Sequence, residues 1–80
     1  MQHAQWQVRE QIADVMGLIG DVAAVPSLER AIADPHEQVR FAALTALGHI
    51  GQVNGVLDDA LQDSSFQVRT LAKHLKTSSL

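Results

Sequence analysis

Histidine is the first residue type to weigh for chemistry, and the chain has four: His3, His36, His49 and His74. A metal site built on one helix wants two of them at i and i+4. No pair has that spacing. There is no cysteine, which removes thiolate ligands, thiol nucleophiles and disulfide staples together. Ser27, Ser64, Ser65, Ser78 and Ser79 fall at predicted helix starts or in the tail. None has a histidine and an acid at a recognisable spacing for nucleophilic catalysis. Gly17-Leu18-Ile19-Gly20 lacks the following lysine of a phosphate loop. The expectation is a protein that is not an enzyme and that holds no metal and no cofactor.

Arginine and aspartate show an order that histidine and serine lack. Val-Arg occurs as Val8-Arg9, Val39-Arg40 and Val68-Arg69, each time behind a glutamine, with spacings of 31 and 29 residues. Nine residues past each of the first two valines stands Gly-x-Ile-Gly, at Gly17 to Gly20 and at Gly48 to Gly51. At offset 31, Val22 and Val25 match Val53 and Val56. Two residues then drop out, and at offset 29 Leu28, Ala31 and Asp34 match Leu57, Ala60 and Asp63. Repeats at such a period mean stacked units. Their expected bounds are about 4–34, 35–63 and 64–80, all in one domain.

Each unit reads as a long helix and a short one. Val8, Ile12, Val15, Met16 and Ile19 form the stripe of an amphipathic helix, repeated by Val39, Ala43, Ala46, Leu47 and Ile50. Gly20 and Gly51 stand where a helix end needs a positive φ. The short helices carry Val25, Leu28 and Ile32, and then Val56, Leu57, Ala60 and Leu61. Asp34-Pro35-His36-Glu37 predicts a cap on Asp34, with Glu37 closing a capping box, and Asp63 repeats the cap. A last helix carries Phe66, Val68, Leu71, Ala72 and Leu75. Five helices in an all-α stack result. With eleven alanines and Trp6, Phe41 and Phe66 as the aromatics, the core is built for close helix packing.

Asp-x-x-x-x-Val-Arg, an Ala/Leu-rich helix and Leu-Gly-x-Ile-Gly together resemble the HEAT-like repeat of the phycobilisome-lyase type. Residues 34–51 (DPHEQVRFAALTALGHIG) carry the resemblance most fully. It implies a short right-handed α-solenoid of two and a half repeats, concave on the side of the second helices. It also implies an Arg–Asp ladder, in which Arg40 and Arg69 engage Asp34 and Asp63. His3 stands at the position of Asp34 in the first unit, so Arg9 is expected to lack its partner. The pair His36-Glu37 is similar to the iron-holding His-Glu pairs of the deoxyhypusine hydroxylases of this superfamily. Those follow the Val-Arg, whereas this one precedes it and occurs once.

The resemblance implies a protein-binding scaffold whose concave face carries Glu29, Arg30, Asp58, Asp59 and Gln62. An accessory part of a bilin (tetrapyrrole) lyase complex is the alternative. The exposed positions of the short helices sum to −2, and the whole chain to −3, which repels phosphate and argues against nucleic acid. No apolar run approaches the ~20 residues of a membrane span, and the first residues lack the pattern of a signal peptide. A cytoplasmic location is the expectation, with a protein partner and no membrane. Trp6 is a candidate contact residue near the first unit's open side. Phe41 is another, because it aligns with polar Glu10 and Thr70. Both ends of the stack are expected to expose apolar helix faces, with self-association as the consequence.

Overall fold

The computed structural model describes residues 5–78, the last of them by its backbone alone. Three long helices alternate with two short ones: α1 (Trp6–Ile19), α2 (Val25–Ala31), α3 (Glu37–Ile50), α4 (Leu57–Leu61) and α5 (Phe66–Ser78). A single 3₁₀ turn, Val22–Ala24, leads into α2. No strand occurs among the described residues. The thinnest dimension, 16 Å, is that of two interleaved helix layers. This is a short HEAT-like solenoid.

The centre of the molecule is α3, which packs against α1, α2 and α5, while α4 packs against α5. Val39, Ala42, Ala43, Leu44, Ala46 and Leu47 of α3 are all buried. Alanine at three of these positions lets neighbouring backbones come close. A five-residue helix such as α4 has no independent stability. It persists because Leu57 and Ala60 are buried against α5.

The helix ends follow the glycines. Gly20 and Gly51 take φ of 73° and 83°, and their N–H groups donate to the Met16 and Leu47 carbonyls. The starts differ from expectation. Helix α3 begins at Glu37, and its cap is His36, whose Nδ1 accepts the Gln38 N–H at 3.1 Å. Asp34 instead accepts the His36 N–H at 2.8 Å, closing a turn before the helix. With Glu37 as the first helical residue, it stands two positions too early for a capping box. The next junction repeats this arrangement. Asp63 accepts the Ser65 N–H at 2.8 Å, and Ser65 Oγ accepts the Val68 N–H. The aspartate stays one turn outside each helix, which leaves its second oxygen available to an arginine.

The two ends also differ. On α1, Ala13 and Gly17 are buried, and Val8, Val15, Leu18 and Ile19 are exposed. At the matching positions of α3, Val39 and Ala46 are buried and Ile50 is half-buried, while His49 is exposed. On α5 the face that repeats the α1 face packed on α3 consists of Phe66, Thr70, Lys73 and Thr77, all exposed. The expectation of two apolar ends is therefore corrected: the α5 end is polar apart from one ring.

Candidate functional site

Two arginines cross the stack. Arg9 Nε donates to Asp34 Oδ2 at 2.6 Å and its Nη2 to Asp34 Oδ1 at 3.0 Å. Arg40 makes the same fork to Asp63, at 2.9 and 3.1 Å. Arg40 Nη1 donates to the main-chain carbonyls of Asp34 and Pro35. Both ion pairs are about nine-tenths buried. A planar guanidinium held on two edges matches a carboxylate bidentately.

This pairing differs from the expected one by a whole repeat. Arg40 takes its carboxylate from Asp63, and meets Asp34 through the backbone carbonyl alone. Arg9, expected to be unpaired, is forked to Asp34. Arg69 reaches the Asp63 carbonyl oxygen with Nη1 at 2.7 Å and makes no fork to a carboxylate among the described residues. The physical reason is geometric. An arginine in the first turn of a helix points back over that turn, where its Nη1 meets the carbonyl behind the cap. Its outer edge then faces the following long helix. The position of His3 lies outside the described residues.

Each aspartate is charged in a mostly buried place. Burial raises the Asp34 carboxyl, but the Arg9 fork, the His36 N–H and the nearby positive charge together hold it below the usual carboxylate value. Asp63 behaves alike: burial raises it, and Arg40, the Ser65 N–H and the field of Arg69 bring it below the usual value. Such a pair is a structural rung rather than an acid or base at work near neutral pH.

Beside the first rung lies a contact that the sequence did not announce. The Trp6 ring stacks on the His36 ring, with centroids 3.9 Å apart and planes at 7°. Trp6 is thus a half-buried packing residue of the first junction. Its signal was present in the repeat: Trp6 opens α1, and His36 caps the next long helix. His49 lies in the last turn of α3, and His74 sits in a groove between α3 and α5. Among the described residues, no three histidine or acidic side chains gather as a metal site would need.

Of the remaining candidates, Glu29, Arg30, Asp58, Asp59 and Gln62 are exposed on or beside α2 and α4. Arg30 Nη2 donates to Ser27 Oγ at 3.2 Å, and none of the three carboxylates forms an ion pair among the described residues. Phe41 is half-buried, packs against the core, and lines the groove between α3 and α5 together with Phe66, Thr70 and Leu71. Among the described residues no helix is long and apolar enough to cross a membrane.

The chain matches the family model of HEAT repeats over residues 1–75. No curated protein and no solved structure matches it.

Proposed function

The chain belongs to the HEAT-repeat family, and from that premise we propose that it is a non-catalytic protein-binding scaffold whose contact face is the side of the short helices. HEAT repeats commonly mediate protein–protein interaction. One observation supports this face: Glu29, Asp58 and Asp59 stand exposed on the two short helices and form no ion pair among the described residues. A strip of exposed carboxylates presents a negative field that steers a basic protein surface. Arg30 and Gln62 add donors at its margin.

Charge reversal tests the reading. Glu29→Lys, Asp58→Lys and Asp59→Lys together leave the core untouched and invert the strip. Affinity for a partner captured by the parent chain should fall at least tenfold, and the fall should shrink in high salt. An unchanged affinity would remove the strip from the contact face.

The α1 end supports self-association as part of the same proposal. Val8, Val15, Leu18, Ile19 and Val22 are each exposed on or beside α1, whereas the outward stripe of α5 is polar apart from Phe66. A head-to-tail contact would set an apolar face on a polar one. Two α1 faces meeting about a twofold axis would cover both.

A further inference from the structure

His36 fills two posts at once. Its Nδ1 accepts the Gln38 N–H at 3.1 Å and so caps α3, while its ring lies flat against Trp6, centroids 3.9 Å apart and planes at 7°. One orientation of the ring serves both contacts. The cap depends on the lone pair of Nδ1, which that nitrogen keeps only while it carries no proton. In the imidazolium form both ring nitrogens are donors. An Nδ1–H would then stand head to head with the Gln38 N–H. Histidine is the side chain that ordinarily changes between these forms at about pH 5 to 8.

The charged groups around this ring come from both sides of the junction. From α1, Arg9 lines the same hollow as Trp6 and His36. From the turn, Asp34 accepts the His36 N–H at 2.8 Å and attracts a positive charge on the ring. Glu37 follows in sequence and is exposed, and Arg40 holds the Asp34 and Pro35 carbonyls. Arg9 and Arg40 are themselves forked to carboxylates. Asp34 and Glu37 are therefore the groups that suit an Nδ1–H which has lost its old partner. The second junction has no such part. There Ser65 Oγ accepts the Val68 N–H, and Glu37 stands in the place of Trp6. A hydroxyl keeps its lone pairs across the range in which histidine titrates.

We propose that His36 is a proton-operated latch on the first junction. A solvent proton taken up on Nδ1 breaks the cap, turns the ring toward Asp34 and Glu37, and removes the platform against which Trp6 lies. The half-buried ring is open to that proton. A cation over an indole face is itself attractive. Here, however, the stacked orientation aims one N–H at another, so stack and cap are given up together. The Arg9–Asp34 fork uses neither ring nitrogen of His36, and it keeps α1 attached. The start of α1 and the first turn of α3 thereby loosen in mild acid, while the α3–α5 junction stays as it is.

Proton and nitrogen-15 spectra of the full chain, taken from about pH 8 down to about pH 5, test the latch. At the upper end, NOEs should join the Trp6 and His36 rings. They should vanish as the His36 ring nitrogens titrate, and the Gln38 amide shift should follow with the same midpoint. Exchange of the Gln38 amide, corrected for its intrinsic pH dependence, should speed up about fivefold, the size of one lost cap. The Val68 amide, capped by Ser65, should not change and serves as the internal reference. His36→Asn keeps a good cap that does not titrate. In that variant the Gln38 amide should stay level, although His3, His49 and His74 remain. The latch is refuted if the ring–ring NOEs are absent at the upper end or persist in the imidazolium form. It is equally refuted if the Gln38 amide does not move with His36, if it responds alike in His36→Asn, or if Val68 loosens with it.

Discussion

The α1–α3 and α3–α5 junctions are assembled from the same repeat positions, yet they hold together differently. Each has an Arg–Asp fork, at Arg9–Asp34 and Arg40–Asp63. Around the fork the first junction is packed more closely than the second. In the first, Trp6 stacks on His36, and Gly17 lets α1 come so near α3 that an added Cβ would lie 2.8 Å from the Ala46 Cα and Cβ. In the second, Glu37 replaces the tryptophan, and a Cβ on Gly48 would meet the Leu75 Cδ2 at 3.0 Å, the tip of a movable side chain. The fork is the part the repeat retains, while the packing beside it is free to vary.

The largest test of that contrast removes a fork. Asp63→Ala strands the Arg40 guanidinium in a mostly buried place and frees the Ser65 N–H. Losing one partner of a buried pair costs about 3 kcal/mol or more, out of the ~4–12 kcal/mol expected of an 80-residue domain. A thermal melt followed by circular dichroism should fall by at least about 10 °C. Asp34→Ala should cost less, because the Trp6–His36 stack still holds α1 and because α1 lies at the edge of the stack. A larger loss for Asp34→Ala would overturn the view that the first junction has a second fastening.

Acid probes both forks at once. Asp34 and Asp63 have folded-state values below the usual carboxylate value. The stability they supply is therefore complete above the unfolded value of about 3.9 and is lost as pH falls through the lower folded values. Melts at neutral pH and near pH 3 should show this loss in the parent chain. A chain carrying Asp34→Asn and Asp63→Asn starts less stable and should show a flatter acid limb. An equally steep limb in that variant would assign the acid sensitivity to other groups.

The glycines give the next smaller effect, and an opposite sign for the two junctions. Gly17→Ala forces backbone apart where Ala46 presses on it, at a cost of about 1–3 kcal/mol. Gly48→Ala asks a leucine tip to move by a few tenths of an ångström. It also gains up to about 1 kcal/mol of helix propensity, so stability should stay level or rise. Urea titrations of the two variants would merge the junctions into one class if both lost stability alike.

The sequence carried the helices, the glycine ends and the repeat almost completely, because periodicity and positive φ are local properties. It placed Arg40 against the wrong carboxylate because a pattern shows which residues recur and not across which interface they reach. Asp34 and Asp63 looked like helix caps since they stand at the right distance. The deciding fact was that His36 and Ser65 can cap as well, which frees the aspartates for the arginines. Trp6 on His36 was hidden for a similar reason: each residue had a sufficient local role, and the contact joins two units. At the α5 end Leu71 and Leu75 are only partly covered, as expected. That end's outward stripe of Thr70, Lys73 and Thr77 reads as polar once the packed face of α1 is known.

The smallest expected effect on stability separates the two ends of the stack. Leu18 is 81% exposed at the α1 end, so Leu18→Lys removes little that the fold depends on, and its melt should shift by no more than about 0.5 kcal/mol. Association is another matter. If two α1 faces meet about a twofold axis, each dimer takes two lysines into an apolar contact, and burying unpaired charge is costly. Sedimentation of the parent chain at rising concentration should then show a dimer that the variant lacks. Thr70→Lys, at the polar α5 end, should leave the dimer intact. A parent chain that stays monomeric at millimolar concentration, or a dimer that survives Leu18→Lys and dissolves with Thr70→Lys, would reverse the roles given to the two ends.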